Sequence, residues 1–377
     1  MDKRSYIIKP SKTIRKFLDS QNYDSLSYLD KSSQENEMIF LDKNESPFVP
    51  PLGDLVNLKS LNILKNYPDL NANTFLDKLS KDLKIPISYL LAGTGSNEII
   101  GLIIKIYASP KTTILSINPT FSMYKFFANI NGAKYESFPL RLLINEATGI
   151  AEYDLDQPSF MKKAKSSNII ILARPNNPDG MVLSLDFIKQ LLLLKKLVII
   201  DEAYIDFSDG PSVVDLINSY NNLIISRSFS KSYSLAGLRL GYTISNPSIN
   251  DILIRIKSPF NVNNLALQYG LLLLDKKDEI SANINKIISI REEFFKEILS
   301  LREKNKIFYI HRSQTNFILL RFESSKISDS VYQYLLKNKI KVRNYTAELS
   351  NCLRISIGTK LQMKKLIEIL KSYFEEN

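Results

Sequence analysis

Lys231 lies among small hydroxyl side chains in the stretch SFSKSYSLAGLRLGY, residues 228–242, and Arg239 follows it eight positions later. A lysine amine kept close and partly dry can act as a nucleophile or move a proton, and hydroxyls with an arginine suit an anion held beside it. Asn177, Asp201, Tyr204, Ser228, Ser230 and Arg239 share one feature with Lys231: each stands at or just past the end of a short apolar run. Taken singly, each has a structural explanation. Asn177 before Pro178 suits a turn, Asp201 a helix cap, Tyr204 a core position and Lys231 a solvated charge. Their ordered recurrence in successive loops favours one shared site.

The elements that must position them are legible between about residues 90 and 245, where TTILSIN, NIIILARP, LVIIDEAY, NLIISRSFS and LGYTIS alternate with helical patterns such as DFIKQLLLLKK. Runs apolar at consecutive positions and rich in Ile and Val predict strands covered on both faces, hence an α/β architecture with a mostly parallel sheet. Ligands of such sheets lie beyond the carboxyl ends of the strands, where RPNNPDG, DEAY and SRSFSK fall. A long helical segment, ISANINKIISIREEFFKEILSLREK, then leads to FYIHRSQTNFILLRF, IKVRNY, CLRISIG and KLQMKKLIEILKSYFEE, a smaller α+β unit. A chain of 377 residues accommodates two domains, each of ~100 to 250 residues. The expected division is a large domain over 51–275 and a small one over 276–377, with 1–50 joining the small domain.

Composition excludes several chemistries. One cysteine, Cys352, rules out an internal disulfide framework, and with one histidine, His311, the usual zinc ligands are missing, so no metal is expected. A Ser-His-Asp triad would need His311, which reads as a strand residue in its alternating segment. GTGSNE lacks the third glycine of a dinucleotide fingerprint and the lysine of a P-loop. The start, MDKRSYIIKP, lacks the apolar core of a secretory signal, and LLLLKKLVII is broken by lysines, so no membrane segment is expected and the location is expected to be cytoplasmic. The net charge of +11 is dispersed, without a basic block. This favours anionic metabolites over nucleic acid as partners.

The series PNNPDG, DEAYIDF and SFSKSYSLAGLRLG resembles the pyridoxal-phosphate-dependent aminotransferases of the aspartate aminotransferase fold, fold type I, in the order those motifs take there. LDKNESP, NYPD, GTGSNEII, NPTFSMY, SQTNFILLRF, KVRNY and NCLRISIGT are similar to the histidinol-phosphate aminotransferase family, from about residue 40 onward. Several features depart from its common pattern: Asp179 replaces a threonine, Asn97 an aspartate and Phe121 a tyrosine, and LDKNESPFVP lacks the glycine often found after the NE pair.

The resemblance implies roles for these residues. Lys231 would carry pyridoxal 5'-phosphate as a Schiff base and, once released, move a proton between the substrate carbon and the cofactor. Asp201 would face the ring nitrogen and keep it cationic. Tyr204 and Asn177 would bond the ring oxygen, and Phe121 would stack on the ring. The backbone at Ser96 and Asn97, with Ser228, Ser230 and Arg239, would hold the phosphate. Tyr67 would reach the phosphate in a neighbouring subunit, making a homodimer with shared active sites.

At the substrate end, the resemblance gives Arg354 the carboxylate of glutamate and the phosphate of the amino donor in turn. Arg343 would add a second phosphate contact, or else a structural salt bridge. Tyr28 would close over the substrate, and Asn316 would line the same region. The implied reaction moves an amino group between L-histidinol phosphate and 2-oxoglutarate, in histidine biosynthesis. A threonine-phosphate decarboxylase of cobalamin biosynthesis shares most of these motifs, and an aromatic or other amino-acid aminotransferase also stays open. A non-catalytic module fits least, because the lysine, aspartate and arginine are all present.

Overall fold

The computed structural model describes residues 9–19, 38–52 and 63–376. Its strands, in chain order, are β1 (Ile39–Leu41), β2 (Leu90–Gly93), β3 (Thr113–Asn118), β4 (Lys134–Pro139), β5 (Arg141–Asn145), β6 (Ile150–Asp154) and β7 (Ile169–Ala173). They continue as β8 (Leu197–Asp201), β9 (Leu223–Ser228), β10 (Gly241–Ser245), β11 (Phe308–His311), β12 (Phe317–Phe322), β13 (Ile340–Asn344) and β14 (Cys352–Ser356). Among the described residues they form two sheets of seven, ordered β2-β10-β9-β8-β7-β3-β4 and β1-β13-β14-β12-β11-β6-β5.

The first sheet is the mostly parallel one read from the sequence. Only β10 runs antiparallel to its neighbours β2 and β9, while β9, β8, β7, β3 and β4 are parallel. Every residue of β7 is buried. Alternate residues feed two apolar clusters, Ile170, Leu172, Val198 and Ile200 on one face and Ile169, Ile171 and Ile199 on the other. Helices cover both faces, so consecutive positions are apolar without the in-out alternation of a half-exposed strand.

The second sheet is mixed. β1 pairs with β13, so the segment around residue 40 lies in this sheet. The hairpin β5–β6 extends it through parallel pairing of β6 with β11, although these residues lie within the 51–275 span. A third apolar cluster joins the sheet to Phe294 and Ile298 of the helix Lys277–Asn305 and to Leu366 and Leu370 of the helix Lys360–Glu376. His311 ends β11, buried and stacked on Tyr153 at 5.1 Å. Burial, with Arg321 adding repulsion, pulls its pKa down to about 3.

Register explains why the polar loop residues converge. Ala173 pairs with Asp201, Asp201 with Ser226, and Gly241 with both Ser228 and Gly93. The loops after β7, β8 and β9 therefore emerge side by side. The helix Gly95–Tyr107, following β2, starts against the same edge. Gly241 makes that approach possible: a Cβ there would lie 2.7 Å from the Ser96 nitrogen and 2.8 Å from the Arg227 oxygen. Backbone cannot yield as a flexible side chain would. Gly241→Ala is expected to cost ~1–3 kcal/mol by overpacking and to push the helix start away from β10. Urea unfolding measures the cost, and an unchanged midpoint would contradict it.

Candidate active site

At this edge the loops enclose a cavity of about 330 Å³, within the ~300–1,000 Å³ typical of ligand sites. Lys231, Asp201, Tyr204, Asn177, Phe121 and Arg354 line it together with Ser96, Asn97, Ser228, Ser230 and Arg239. Larger hollows exist elsewhere, such as the groove of about 660 Å³ between the helices Lys277–Asn305 and Lys360–Glu376. That groove holds Glu and Lys side chains over an apolar floor.

Lys231 is half-buried, and its Nζ donates to the Lys43 carbonyl at 3.0 Å. The ammonium also lies over the Tyr204 ring, 5.9 Å from its centroid. Its pKa is pulled down to about 7, chiefly by burial and further by the positive Arg354 and Arg239, against a smaller opposing pull from Glu45. Asp201 ends β8, and its carboxylate accepts from Tyr124 Oη at 2.8 Å and from the Ala203 amide at 3.2 Å. Burial pushes its pKa up to about 6 even though both hydrogen bonds favour the charged form. Among the described residues the Lys231 amine donates to a carbonyl and the Asp201 carboxylate accepts from neutral donors, neither in a salt bridge, the condition that a ligand with a cationic ring and anionic groups would relieve.

The anion end is built from backbone as much as side chains. Ser96 and Asn97 lie in the first turn of the helix Gly95–Tyr107, where amides lack intrahelical acceptors and the dipole is positive. Arg239 lies across that turn: a Cβ on Gly95, whose φ is +79°, would lie 2.6 Å from Arg239 Nη2. Arg239 Nη1 donates to Ser230 Oγ at 3.2 Å, and the Ser230 amide donates to Ser228 Oγ at 3.0 Å. Phe121 packs edge-on against Tyr124 at 5.6 Å.

At the opposite end Arg354, from β14 of the second sheet, donates from Nη1 to Asn177 Oδ1 and from Nη2 to the Asp42 carbonyl, each at 2.7 Å. Its Nε is buried without a hydrogen-bond partner, and its guanidinium lies 5.2 Å from the Phe317 ring centroid. Arg343 pairs with Arg354 across β13 and β14, lies half-buried, and stacks over Tyr345 at 5.6 Å.

Of the expected residues, Tyr67, Arg343 and Asn316 do not line this cavity. Tyr67 is 81% exposed, stacked on Phe260 at 4.7 Å, and does not line this cavity. Asn316 is fully buried behind the cavity, where Nδ2 donates to the Asn44 carbonyl at 3.0 Å. Tyr28 lies outside the described residues. Conversely, Asn44 and Tyr124 line the cavity without having been singled out. Both stand inside the motifs LDKNESP and NPTFSMY, and a place in a motif does not reveal a contact between distant residues. Asp179, the departure from threonine, is buried and accepts from Asn176 Nδ2 at 3.0 Å and from the Met181 amide at 3.2 Å. It shapes the loop that carries Asn177.

With that geometry in place, the comparisons with known proteins define the class. The family model of aminotransferase class I and II matches residues 42–370, and the chain belongs to that family. It is 36% identical over 339 residues to the histidinol-phosphate aminotransferase of Flavobacterium johnsoniae, covering 89% of this chain and 90% of that one. It is 32% identical over 349 residues to the histidinol-phosphate aminotransferase of Pyrococcus furiosus, covering 92% and 95%. The crystal structure of histidinol-phosphate aminotransferase from Sinorhizobium meliloti in complex with pyridoxal-5'-phosphate has the same fold, with TM-score 0.84, 20% identity and 99% of each chain covered. Among the described residues, no cluster of His, Cys, Asp and Glu could hold a metal ion, and no helix is long and apolar enough to cross a membrane.

The lowered lysine pKa has a definite sign in linkage. Between pH 7 and 10.5 the unfolded chain holds a proton at Lys231 that the folded chain has released, so this group makes stability rise with pH through that window. Asp201 acts oppositely: between pH 3.8 and 6 the folded chain holds the extra proton, and stability falls as pH rises. Labelling of Lys231 in ligand-free protein by an amine-reactive reagent is expected to reach half its maximal rate near pH 7, against ~10.4 for an ordinary lysine. Peptide mapping of residues 228–239 reads this midpoint. A value near that of an exposed lysine would contradict the burial described.

Proposed function

We propose that the protein transfers an amino group between L-histidinol phosphate and 2-oxoglutarate, using pyridoxal 5'-phosphate held on Lys231. The observation that carries this reading is the convergence of the Lys231 amine, the Asp201 carboxylate and the Arg354 guanidinium on one cavity, in a chain similar along about nine tenths of its length to histidinol-phosphate aminotransferases. When bound, the cofactor supplies an aldehyde that condenses with amines and a ring that accepts the electron pair of a bond broken at the adjacent carbon. Lys231, near neutral at physiological pH, serves as tether and then as the base and acid that moves the substrate proton. Asp201 keeps a positive charge at the ring nitrogen, and Tyr204 and Asn177 bond the ring oxygen. Phe121, which lines the same cavity, would pack against the ring. The first turn at Ser96 and Asn97, with Ser228, Ser230 and Arg239, binds the phosphate. Arg354 binds the anionic group of either substrate in turn, and Arg343 adds a contact to the phosphorylated one.

A homodimer with shared sites belongs to this reading. Tyr67 and Phe260 are exposed as a stacked pair, with Leu64 and Leu70 also exposed on the same stretch of chain. An aromatic pair of this kind suits a subunit interface, from which Tyr67 would reach the partner's phosphate site. A large PLP-binding domain over 51–275 and a small one over 276–377 remain the proposed division, with the hairpin β5–β6 reaching across it. A cytoplasmic location belongs to the same reading.

Borohydride reduction of cofactor-loaded protein is expected to leave a covalent pyridoxal phosphate adduct on Lys231, visible by mass spectrometry and lost in Lys231→Ala. That variant should form glutamate from 2-oxoglutarate and L-histidinol phosphate at least ~10²-fold more slowly. Carbon dioxide release from threonine phosphate, with no glutamate formed from L-histidinol phosphate, would replace this reading with the decarboxylase.

The two arginines separate by substrate. Arg343→Ala should raise KM for L-histidinol phosphate by about tenfold or more, the loss of one charge-assisted hydrogen bond, and leave KM for glutamate within about twofold. Arg354→Ala should impair both half-reactions. Steady-state kinetics with each substrate decide this, and equal losses for both substrates in Arg343→Ala would remove its phosphate role.

A further inference from the structure

Asn44 lies just past β1 in the left-handed region, at φ 53°, where asparagine is among the few side chains enriched. It is buried at 1% exposure, and all its polar groups are engaged. Its backbone amide donates to Ser356 Oγ at 2.8 Å, and Ser356 Oγ donates to Asn44 Oδ1 at 3.0 Å. Asn44 Nδ2 donates to Tyr204 Oη at 3.0 Å. The order of these bonds fixes the orientation of the amide. A backbone N–H is only a donor, so Ser356 accepts from it and gives its single hydrogen to Oδ1, which turns the NH₂ group toward Tyr204. The phenol oxygen accepts from that NH₂, so Asn44 does not take the phenolic hydrogen.

We propose that Asn44, locked by Ser356, is a positioning residue that makes Tyr204 a hydrogen-bond donor toward the cavity. The two side chains line the cavity together. An acceptor at residue 44 would take the phenolic hydrogen and turn Tyr204 into an acceptor for the ligand. The ring oxygen of pyridoxal phosphate is an acceptor, so the polarity set by Asn44 is the one that this ligand requires. The inference rests on the function proposed above.

The test is a double-mutant comparison of pyridoxal phosphate affinity, measured by equilibrium dialysis of cofactor-depleted protein. Asn44→Asp replaces the NH₂ donor by an acceptor of the same shape. It is expected to weaken binding about 10- to 100-fold when Tyr204 is present, and by about twofold or less in the Tyr204→Phe background, where no hydroxyl remains to be misdirected. Ser356→Ala, which unlocks the amide without adding charge, should weaken binding about 3- to 10-fold with the same dependence on Tyr204, and decides the matter should Asn44→Asp not fold. Equal losses in both backgrounds, or no loss in Ser356→Ala, would overturn the positioning role while wild-type binding leaves the proposed function standing. A wild-type protein that takes up no pyridoxal phosphate would overturn both.

Discussion

Charge enclosed without its counter-charge is the constraint on which this site depends. Lys231 is drawn toward its neutral amine by burial and by two neighbouring guanidinium groups. Asp201 is drawn toward its neutral acid chiefly by burial and further by the negative Glu202, against the two hydrogen bonds it accepts. At an effective dielectric near 20, two unit charges 4 Å apart interact by ~4 kcal/mol, several times a typical net hydrogen bond. A ligand that is anionic at both ends and cationic at its ring would answer Arg239, Arg354 and Asp201 together. The electrostatic frustration of the ligand-free protein is therefore a measure of what such a ligand gains on binding.

Such frustration persists only where the surroundings do not collapse onto it. Asp201 ends a strand whose register is locked on both sides. Glu202, the next residue, is held by Arg227 at 2.8 Å, by Ser212 Oγ at 2.7 Å and by the Val213 amide at 2.8 Å. The second sheet is tied to these loops by polar braces. Arg291, buried in the helix Lys277–Asn305, donates to the Phe207 carbonyl at 3.2 Å and the Thr315 carbonyl at 2.9 Å. Ser208 Oγ donates to Gln314 Oε1 at 2.6 Å. Arg354 thus enters the cavity from a second sheet without freedom to wander, and Asn177 meets it in a fixed geometry.

Much of this was legible in the sequence, for identifiable reasons. Strands buried on both faces write themselves as unbroken apolar runs, and polar residues at their ends mark the functional edge, so Asp201, Ser228, Ser230, Lys231 and Arg239 stand out without coordinates. Arg354 and Phe121 required the resemblance, because one isolated arginine or phenylalanine carries no local signature. The hairpin β5–β6 escaped because its residues are mostly exposed, without the buried run or the in-out alternation that marks a strand, and its partner β11 lies about 160 residues on. Asn316 matched a motif, yet its side chain faces the Asn44 carbonyl; a motif fixes a position in the chain and leaves the direction of the side chain to packing.

The segment from Asp42 to Asn44 shows the same limit most plainly, since its contribution at the cavity is carried largely by backbone. Its three successive carbonyls accept from Arg354 Nη2 at 2.7 Å, Lys231 Nζ at 3.0 Å and Asn316 Nδ2 at 3.0 Å. No side-chain pattern announces that. Any ligand that engages Lys231 or Arg354 competes with a carbonyl of this one segment, so loading exchanges internal hydrogen bonds for ligand ones. Each exchange is worth only ~0.5–1.5 kcal/mol net and nearly cancels. The relief of enclosed charge does not cancel, which makes electrostatics, rather than the number of hydrogen bonds formed, the term that decides affinity here.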